Sequence, residues 1–254
     1  MTGRLFIVGL GPGAPELTTP LASEILAAAT DLVGYGPYLA RVPQHACQSR
    51  HASDNREELT RACAALELAA SGKSVAVVSS GDPGVFAMAS AVFEAIETGK
   101  PAWSDIEVTV VPGVSAMLAA AASIGAPLGH DFCVISLSDN LKPWDVVLKR
   151  LEAASSGDFV IVLYNPASKA RPWQLGDALS LVARYRASST PVIFARSVSQ
   201  PDERIDITTL ADADPTQADM RTLMIIGSSA TKLVTGSKGK RLVYTPRHAE
   251  LAET

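Results

Sequence analysis

The sequence predicts an α/β protein built as two α/β domains with a ligand cleft between them. Apolar runs of strand length alternate with amphipathic segments of helical spacing, and at 254 residues the chain can bury two small cores or one large one. Three of the apolar runs empty directly into glycine loops. Leu5–Val8 leads into Gly9-Leu10-Gly11-Pro12-Gly13, Val75–Ser79 into Ser80-Gly81-Asp82-Pro83-Gly84, and Val108–Val111 into Pro112-Gly113-Val114-Ser115-Ala116. A buried strand that ends in such a loop is where α/β proteins bind small ligands, because backbone N–H groups gather at the strand's carboxyl end. Any one loop is also explained by a simple turn; three of the same kind in one half of the chain favour a ligand site.

The elements follow in order. Thr19 is placed to cap a helix whose first residue is Pro20, with Leu21, Ile25 and Ala28 on one face. Asp31 precedes the strand Leu32–Tyr35. Leu59, Cys63, Leu66 and Ala70 share a helical face that stops at Gly72. Residues 85–97 and 115–124 read as helices, each after a glycine loop. In the second half, strands are expected at Phe132–Leu137, Phe159–Tyr164, Val192–Ala195 and Leu223–Ile226, and helices at 144–155 and 173–187. Gly125–Gly129 is the best linker, which divides the chain into domains 1–129 and 130–254.

Composition narrows the function classes. Hydrophobic residues make up 47% of the chain and charged residues 19%, the balance of a compact globular protein. The formal net charge of −4 argues against nucleic acid as a partner. No basic stretch followed by an apolar core opens the chain, and no apolar run is long enough to span a bilayer, so no membrane association and a cytoplasmic location are expected. Three widely spaced cysteines, Cys47, Cys63 and Cys133, disfavour a disulfide framework. His45-x-Cys47-x-x-x-His51 lacks a fourth ligand and a zinc spacing, so these read as loop residues and no metal site is expected.

Gly9-x-Gly11-x-x-Ala14 formally matches a dinucleotide-binding fingerprint. That motif needs a helix beginning inside it, whereas Pro12 and Pro15 interrupt and the cap comes only at Thr19. It also needs an acid at the carboxyl end of the second strand, and Asp31 stands at the other end.

The three loops, with Leu17-Thr18 after the first, resemble the signature loops of the tetrapyrrole (corrin and porphyrin) methyltransferases. The resemblance covers essentially the whole chain. Gly81–Ala89, Gly125–Phe132, Ile135–Asp139 and Leu163–Arg171 narrow it to the branch that methylates C17 of a corrin precursor and contracts the macrocycle in cobalamin biosynthesis. A departure is Asn140-Leu141 after Asp139, where the family pattern has Leu-Leu. Tyr164–Arg171 favours this branch over a methyltransferase for another ring carbon or a diphthamide-type protein methyltransferase. Whether the substrate is metal-free or carries cobalt stays open, the absence of a long cysteine-bearing extension favouring the metal-free one.

The resemblance implies a two-domain fold that holds S-adenosylmethionine as co-substrate, a tetrapyrrole substrate and a homodimer. Carried over by position, Pro12 forms the floor of the cleft. Gly81, Asp82, Val85 and Phe86 border the methionine part, with Ser115 and Ala116 beside it. Tyr164, Asn165, Ala195 and Thr222 enclose the adenosine. Core packing explains Val85, Phe86 and Ala195 equally well. Ring contraction starts from the C20 hydroxyl and moves protons; Asp139 is the candidate for that task, with His130 and Asp82 as alternatives and helix capping before Pro143 as the plainer role. The substrate's carboxylates call for local positive charge, for which Lys169 and Arg171 are best placed, then Lys142 and Arg196.

Overall fold

The computed structural model describes residues 3–168 and 170–248. Lys169 lies outside the described residues. The chain's contacts group into two units, Met1–Ala116 and Met117–Thr254, with the Gly125–Gly129 stretch inside the second.

The first unit is a five-stranded parallel sheet. Its elements are β1 (Arg4–Gly9), α1 (Pro20–Ala28), β2 (Asp31–Tyr35), α2 (Gly36–Leu39), β3 (Ser49–Ser53), α3 (Glu58–Ala70), β4 (Ser74–Ser79), α4 (Met88–Thr98) and β5 (Glu107–Val111). The strand order is β3-β2-β4-β1-β5. Leu5, Ile7, Val75 and Val77 are fully buried, which accounts for the nearly uninterrupted apolar runs that mark these strands. The strand β3 was not foreseen: Ser-Arg-His-Ala-Ser carries no apolar run, and it pairs at the sheet edge with β2. His51 is therefore a strand residue, not a loop residue as the sequence suggests.

Thr19 caps α1 as expected, its hydroxyl accepting from the Ala22 N–H at 3.1 Å, with Pro20 opening the helix. The buried face is displaced by one residue from the expected one: Ala22 and Leu26 are buried, while Leu21 is exposed. In α3 Leu66 is buried as expected, but the rest of the face shifts one residue the other way: Ala62, Ala65 and Ala69 are buried, while Leu59 and Ala70 are exposed. Alanines share the buried face with Leu26 in α1 and with Arg61 and Leu66 in α3. Their methyl groups let the helix axis approach strands whose Val and Ile side chains already fill the interface. The helix expected over 85–97 starts only at Met88, because Phe86 adopts a left-handed φ of 51° that no helix accepts.

The second unit contains most of α5 (Ala116–Ile124), then β6 (Gly125–Ala126), β7 (Phe132–Ser136), α6 (Trp144–Ser156), β8 (Val160–Tyr164), α7 (Gln174–Val182), β9 (Pro191–Arg196), β10 (Arg204–Thr209), β11 (Thr222–Ile226), β12 (Lys232–Thr235) and β13 (Arg241–Tyr244). Its main sheet is ordered β10-β9-β11-β8-β7, with β7 and β8 parallel and the other neighbours antiparallel. The core joins Leu137, Leu151, Ile161, Leu163, Leu175 and Met224, all fully buried. The helix expected over 173–187 stops at Val182. Arg186 then turns inward to donate to the carbonyls of Ser155 and Phe159 and to pair with Asp158. Gly125 and Ala126 pair with β13, so the expected linker is part of a small three-stranded sheet.

Asp31 begins β2, at the end of the parallel sheet opposite the glycine loops. Its buried carboxylate accepts from Lys73 Nζ at 3.0 Å and from the Thr30 hydroxyl at 2.9 Å, and His51 Nε2 lies 2.7 Å away. Burial pushes this carboxyl's pKa up, but the hydrogen bonds from His51, Lys73 and Thr30 outweigh it and hold the pKa below the ordinary value. A group with a lowered folded pKa stabilises the fold above its unfolded pKa and loses that contribution as pH falls through the folded value. Asp31→Asn should therefore cost about 1–3 kcal/mol at neutral pH. The gap between variant and wild type should close in acid, as urea titrations at neutral and acid pH will show.

Candidate functional site

Adjacency of strands creates the first part of the site. β1 lies between β4 and β5, all three run parallel, and so their three glycine loops leave the same edge of the sheet side by side. Gly11 and Gly81 bridge the first two loops, the Gly11 N–H donating to the Gly81 carbonyl at 3.2 Å and the Gly81 N–H to the Gly11 carbonyl at 2.9 Å. Gly9, Gly81 and Gly113 then touch backbone to backbone. A Cβ on Gly113 would stand 2.2 Å from the Gly81 carbonyl oxygen and 2.9 Å from the Gly9 Cα, and a Cβ on Gly9 would stand 2.7 Å from the Gly81 oxygen. Gly11 and Gly81 also adopt left-handed φ values of 68° and 66°. Gly9, Gly11 and Gly113 are glycines where a side chain would not fit, and Gly81 where the left-handed backbone disfavours one, which goes beyond what a set of independent turns requires.

Asp82 ties the second loop to the third. Its carboxylate accepts from the Gly84 N–H at 2.8 Å and from the Gly113 N–H at 3.0 Å. Expected at the methionine part of a cofactor, its observed contacts are to the loops themselves. Ser115 is buried, and its hydroxyl oxygen has no hydrogen-bond partner. A position for a Cβ on Gly81 lies 3.8 Å from the Ser115 Cα and 3.9 Å from the Ala116 N, so the second and third loops are neighbours there as well. Pro12 follows Gly11 in the first loop. Val85 is half-buried, and Phe86 presents an exposed ring from its left-handed position.

In the second unit the sheet brings Tyr164, Asn165, Ala195 and Thr222 to one edge. Thr222 opens β11 opposite Arg196 at the end of β9, and β11 runs antiparallel to β8, which ends at Tyr164. The Tyr164 hydroxyl accepts from the Met117 N–H at 3.1 Å. Asn165 takes a left-handed φ of 52° and donates to the Ser136 hydroxyl at 3.0 Å. Ala195 is fully buried, and the Thr222 hydroxyl donates to Asp219 at 2.9 Å.

The expected charged residues of the second unit are mostly engaged. Arg171 forms an ion pair with Asp139 and donates also to the Asn140 side-chain carbonyl. The loops after the parallel neighbours β7 and β8 are thereby latched, and the two residues expected to act separately on a substrate hold each other. Asp139 does not cap α6, whose N-cap is Pro143 without a side-chain bond. Arg196 pairs with Asp219 at 2.8 Å and Asp202 at 3.1 Å; the hydrogen bond to Asp219 raises its pKa above the ordinary value. Lys142 has no ion pair among the described residues, and burial, followed by the charge of Arg150, lowers its pKa. Among the described residues no group of three His, Cys, Asp or Glu side chains is placed to hold a metal ion, and no helix is long and apolar enough to cross a membrane.

Sequence reasoning missed Ser136, which supports Asn165, and Arg41, whose guanidinium reaches the first two glycine loops. Ser136 lies within the Ile135–Asp139 stretch but gave no sign of a partner, and Arg41 belongs to none of the stretches singled out; only the fold brings them to the loops. The glycine contacts make one substitution diagnostic. Gly113→Ala should lower stability by about 2–3 kcal/mol through overpacking, because the backbone of Gly81 and Gly9 cannot withdraw from the added methyl group. Thermal denaturation measures it, and a midpoint equal to wild type would contradict the close contact.

The family model for tetrapyrrole (corrin/porphyrin) methylases matches residues 4–214. The chain is 56% identical to a precorrin-3B C(17)-methyltransferase from Sinorhizobium sp over 97% of both chains. It is 41% identical to a probable cobalt-factor III C(17)-methyltransferase from Salmonella typhimurium, over 96% of this chain and 98% of the relative. The crystal structure of the methyltransferase CobJ superposes with a TM-score of 0.91 at 50% identity, covering 96% of this chain and 100% of that one. Three glycine loops at one sheet edge, the match to the family model and these full-length likenesses together make the chain a member of the tetrapyrrole (corrin/porphyrin) methylase family.

Proposed function

We propose that this protein is an S-adenosylmethionine-dependent enzyme that methylates precorrin-3B at C17 and contracts the macrocycle to precorrin-4 in cobalamin biosynthesis. The observation that carries the reading is 56% identity over nearly the whole of both chains to a relative named for C17 methylation of precorrin-3B. The lower identity to the cobalt-factor III relative favours the metal-free substrate over the cobalt-bearing one. A homodimer belongs to the same reading and rests on the family resemblance, and a cytoplasmic location rests on the sequence expectations given above.

The first unit fits the co-substrate. A cradle of backbone in which a Cβ would collide, with the unpartnered Ser115 hydroxyl beside it, suits a small polar ligand that needs close backbone approach. S-adenosylmethionine supplies a methyl group on a positively charged sulfur, open to displacement by an electron-rich carbon. The protein's task is then to align and to exclude water rather than to supply a strong nucleophile. Asp82 holds the second and third loops in fixed spacing. In the second unit Arg171, latched to Asp139, and Lys142, which has no ion pair among the described residues, are the groups to meet substrate carboxylates.

Calorimetry should show binding of S-adenosylmethionine or S-adenosylhomocysteine and none of NAD. Binding of NAD with no response to either sulfur compound would overturn the cofactor assignment. Incubation with S-adenosylmethionine and precorrin-3B should give a singly methylated, contracted product by mass spectrometry and absorption. Turnover of the cobalt-bearing analogue alone would move the protein to the other substrate class. Sedimentation at micromolar concentration tests the homodimer.

Arg171→Ala should raise the KM for the tetrapyrrole and leave S-adenosylhomocysteine affinity near wild type, with a loss of about 1–3 kcal/mol in kcat/KM. Asp139→Asn should transfer the methyl group and accumulate an uncontracted product. If the pair only fixes the two loops, the double variant will behave like the worse single one, and no uncontracted product will appear.

A further inference from the structure

Arg41 stands just beyond α2, far in sequence from the second glycine loop. Its Nη2 donates to the carbonyls of both Leu10 and Gly11 at 2.9 Å, and its Nη1 donates to the Ser80 hydroxyl at 3.1 Å. Each of those carbonyls already accepts one other bond: Leu10 from the Thr18 hydroxyl at 3.1 Å, Gly11 from the Gly81 N–H at 2.9 Å. Arg41 therefore fills the second acceptor direction of two consecutive carbonyls and fixes two peptide planes at once. Among the described residues no carboxylate pairs with it, and burial lowers its pKa, opposed only by Tyr38. Arg50 and Arg61 in the same unit also donate to neutral atoms, but Arg41 is the one of the three whose hydrogen bonds reach two of the glycine loops.

We propose that Arg41 is the positioning residue of the glycine cradle: it sets the spacing of the first and second loops, and so the affinity of the cradle for the adenosyl-sulfur ligand. This rests on the co-substrate reading given above. Arginine suits the task because two nitrogens of one rigid plane reach the two loops together, whereas a lysine offers donors at a single point. Pro12 has no N–H and follows Gly11 directly, so the peptide between them cannot anchor itself by donating. Its carbonyl is held by Arg41 and Gly81 instead.

The test is calorimetric titration of S-adenosylhomocysteine into wild type, Arg41→Met, Arg41→Lys, Ser80→Ala and the Arg41→Met/Ser80→Ala double variant, well below each thermal midpoint. Arg41→Met should bind about 10-fold or more weakly, as expected for loss of charged hydrogen bonds, and Arg41→Lys should recover part of this. Ser80→Ala should weaken binding a few-fold, and the double variant should be no weaker than Arg41→Met, because the two changes cut one contact. A residue that only stabilises the unit would lower the thermal midpoint and leave the affinity unchanged. Wild-type affinity in folded Arg41→Met, or additive losses in the double variant, overturns the proposal. If Arg41→Met does not fold, unchanged affinity in both Arg41→Lys and Ser80→Ala overturns it. Failure of wild type itself to bind overturns the co-substrate reading and this inference with it.

Discussion

Backbone contact among Gly9, Gly81 and Gly113 is the constraint on which the rest of the first unit depends. With no side chain on any of the three, the ends of β1, β4 and β5 approach closely enough for the Gly81 carbonyl to sit where a Cβ of Gly9 or Gly113 would be. The contact is possible only because these strands are adjacent and parallel, which places their loops at one edge. Close packing of bare backbone leaves polar groups that must be satisfied. Asp82 answers for the N–H groups of Gly84 and Gly113, and Arg41 for the carbonyls of Leu10 and Gly11. An anion and a cation thus hold opposite kinds of backbone group in the same cradle, each without a salt bridge among the described residues.

The second unit solves a related problem by different means. Its sheet is mostly antiparallel, so strand ends and strand starts share one edge, and residues distant in sequence such as Tyr164, Ala195 and Thr222 collect there. Here side chains do the joining: Asn165 to Ser136, Arg171 to Asp139 and Asn140, Arg196 to Asp202 and Asp219. Several of its charges are mutual pairs: Arg171 with Asp139, Arg186 with Asp158, and Arg196 with Asp202 and Asp219. A carboxylate-rich ligand would have to compete for those pairs or use a cation that has none. Among the described residues Lys142 has no ion pair, and burial, followed by the charge of Arg150, lowers its pKa.

Much of the fold was legible because its signals are local. Apolar runs mark β1, β4 and β8; Thr19-Pro20 marks the start of α1; Gly72, with φ of 91°, marks the end of α3. The errors were of a consistent kind. The buried faces expected for α1 and α3 were off by one position except at Leu66, and alanines share them with Leu26 and Leu66, because the distance between helix and sheet is set by both partners and not by the helix alone. The strands β3, β10, β12 and β13 were missed because edge strands and small sheets bury little and so carry no continuous apolar run.

By itself the sequence determined that three strands end in glycine loops, that these loops share the wording of one family, and that Asp31 is at the wrong end of its strand for a nucleotide ribose. Those are properties of residue type and order, and order along a strand survives any packing. Only the tertiary structure decided what each site residue touches. Asp139 and Arg171, read as separate actors, became one ion pair because β7 and β8 are neighbours, and Arg41, carried by no motif, reached two loops because β2 lies beside β4 in the strand order. Contacts between residues so distant in sequence are set by strand adjacency, which no local pattern encodes.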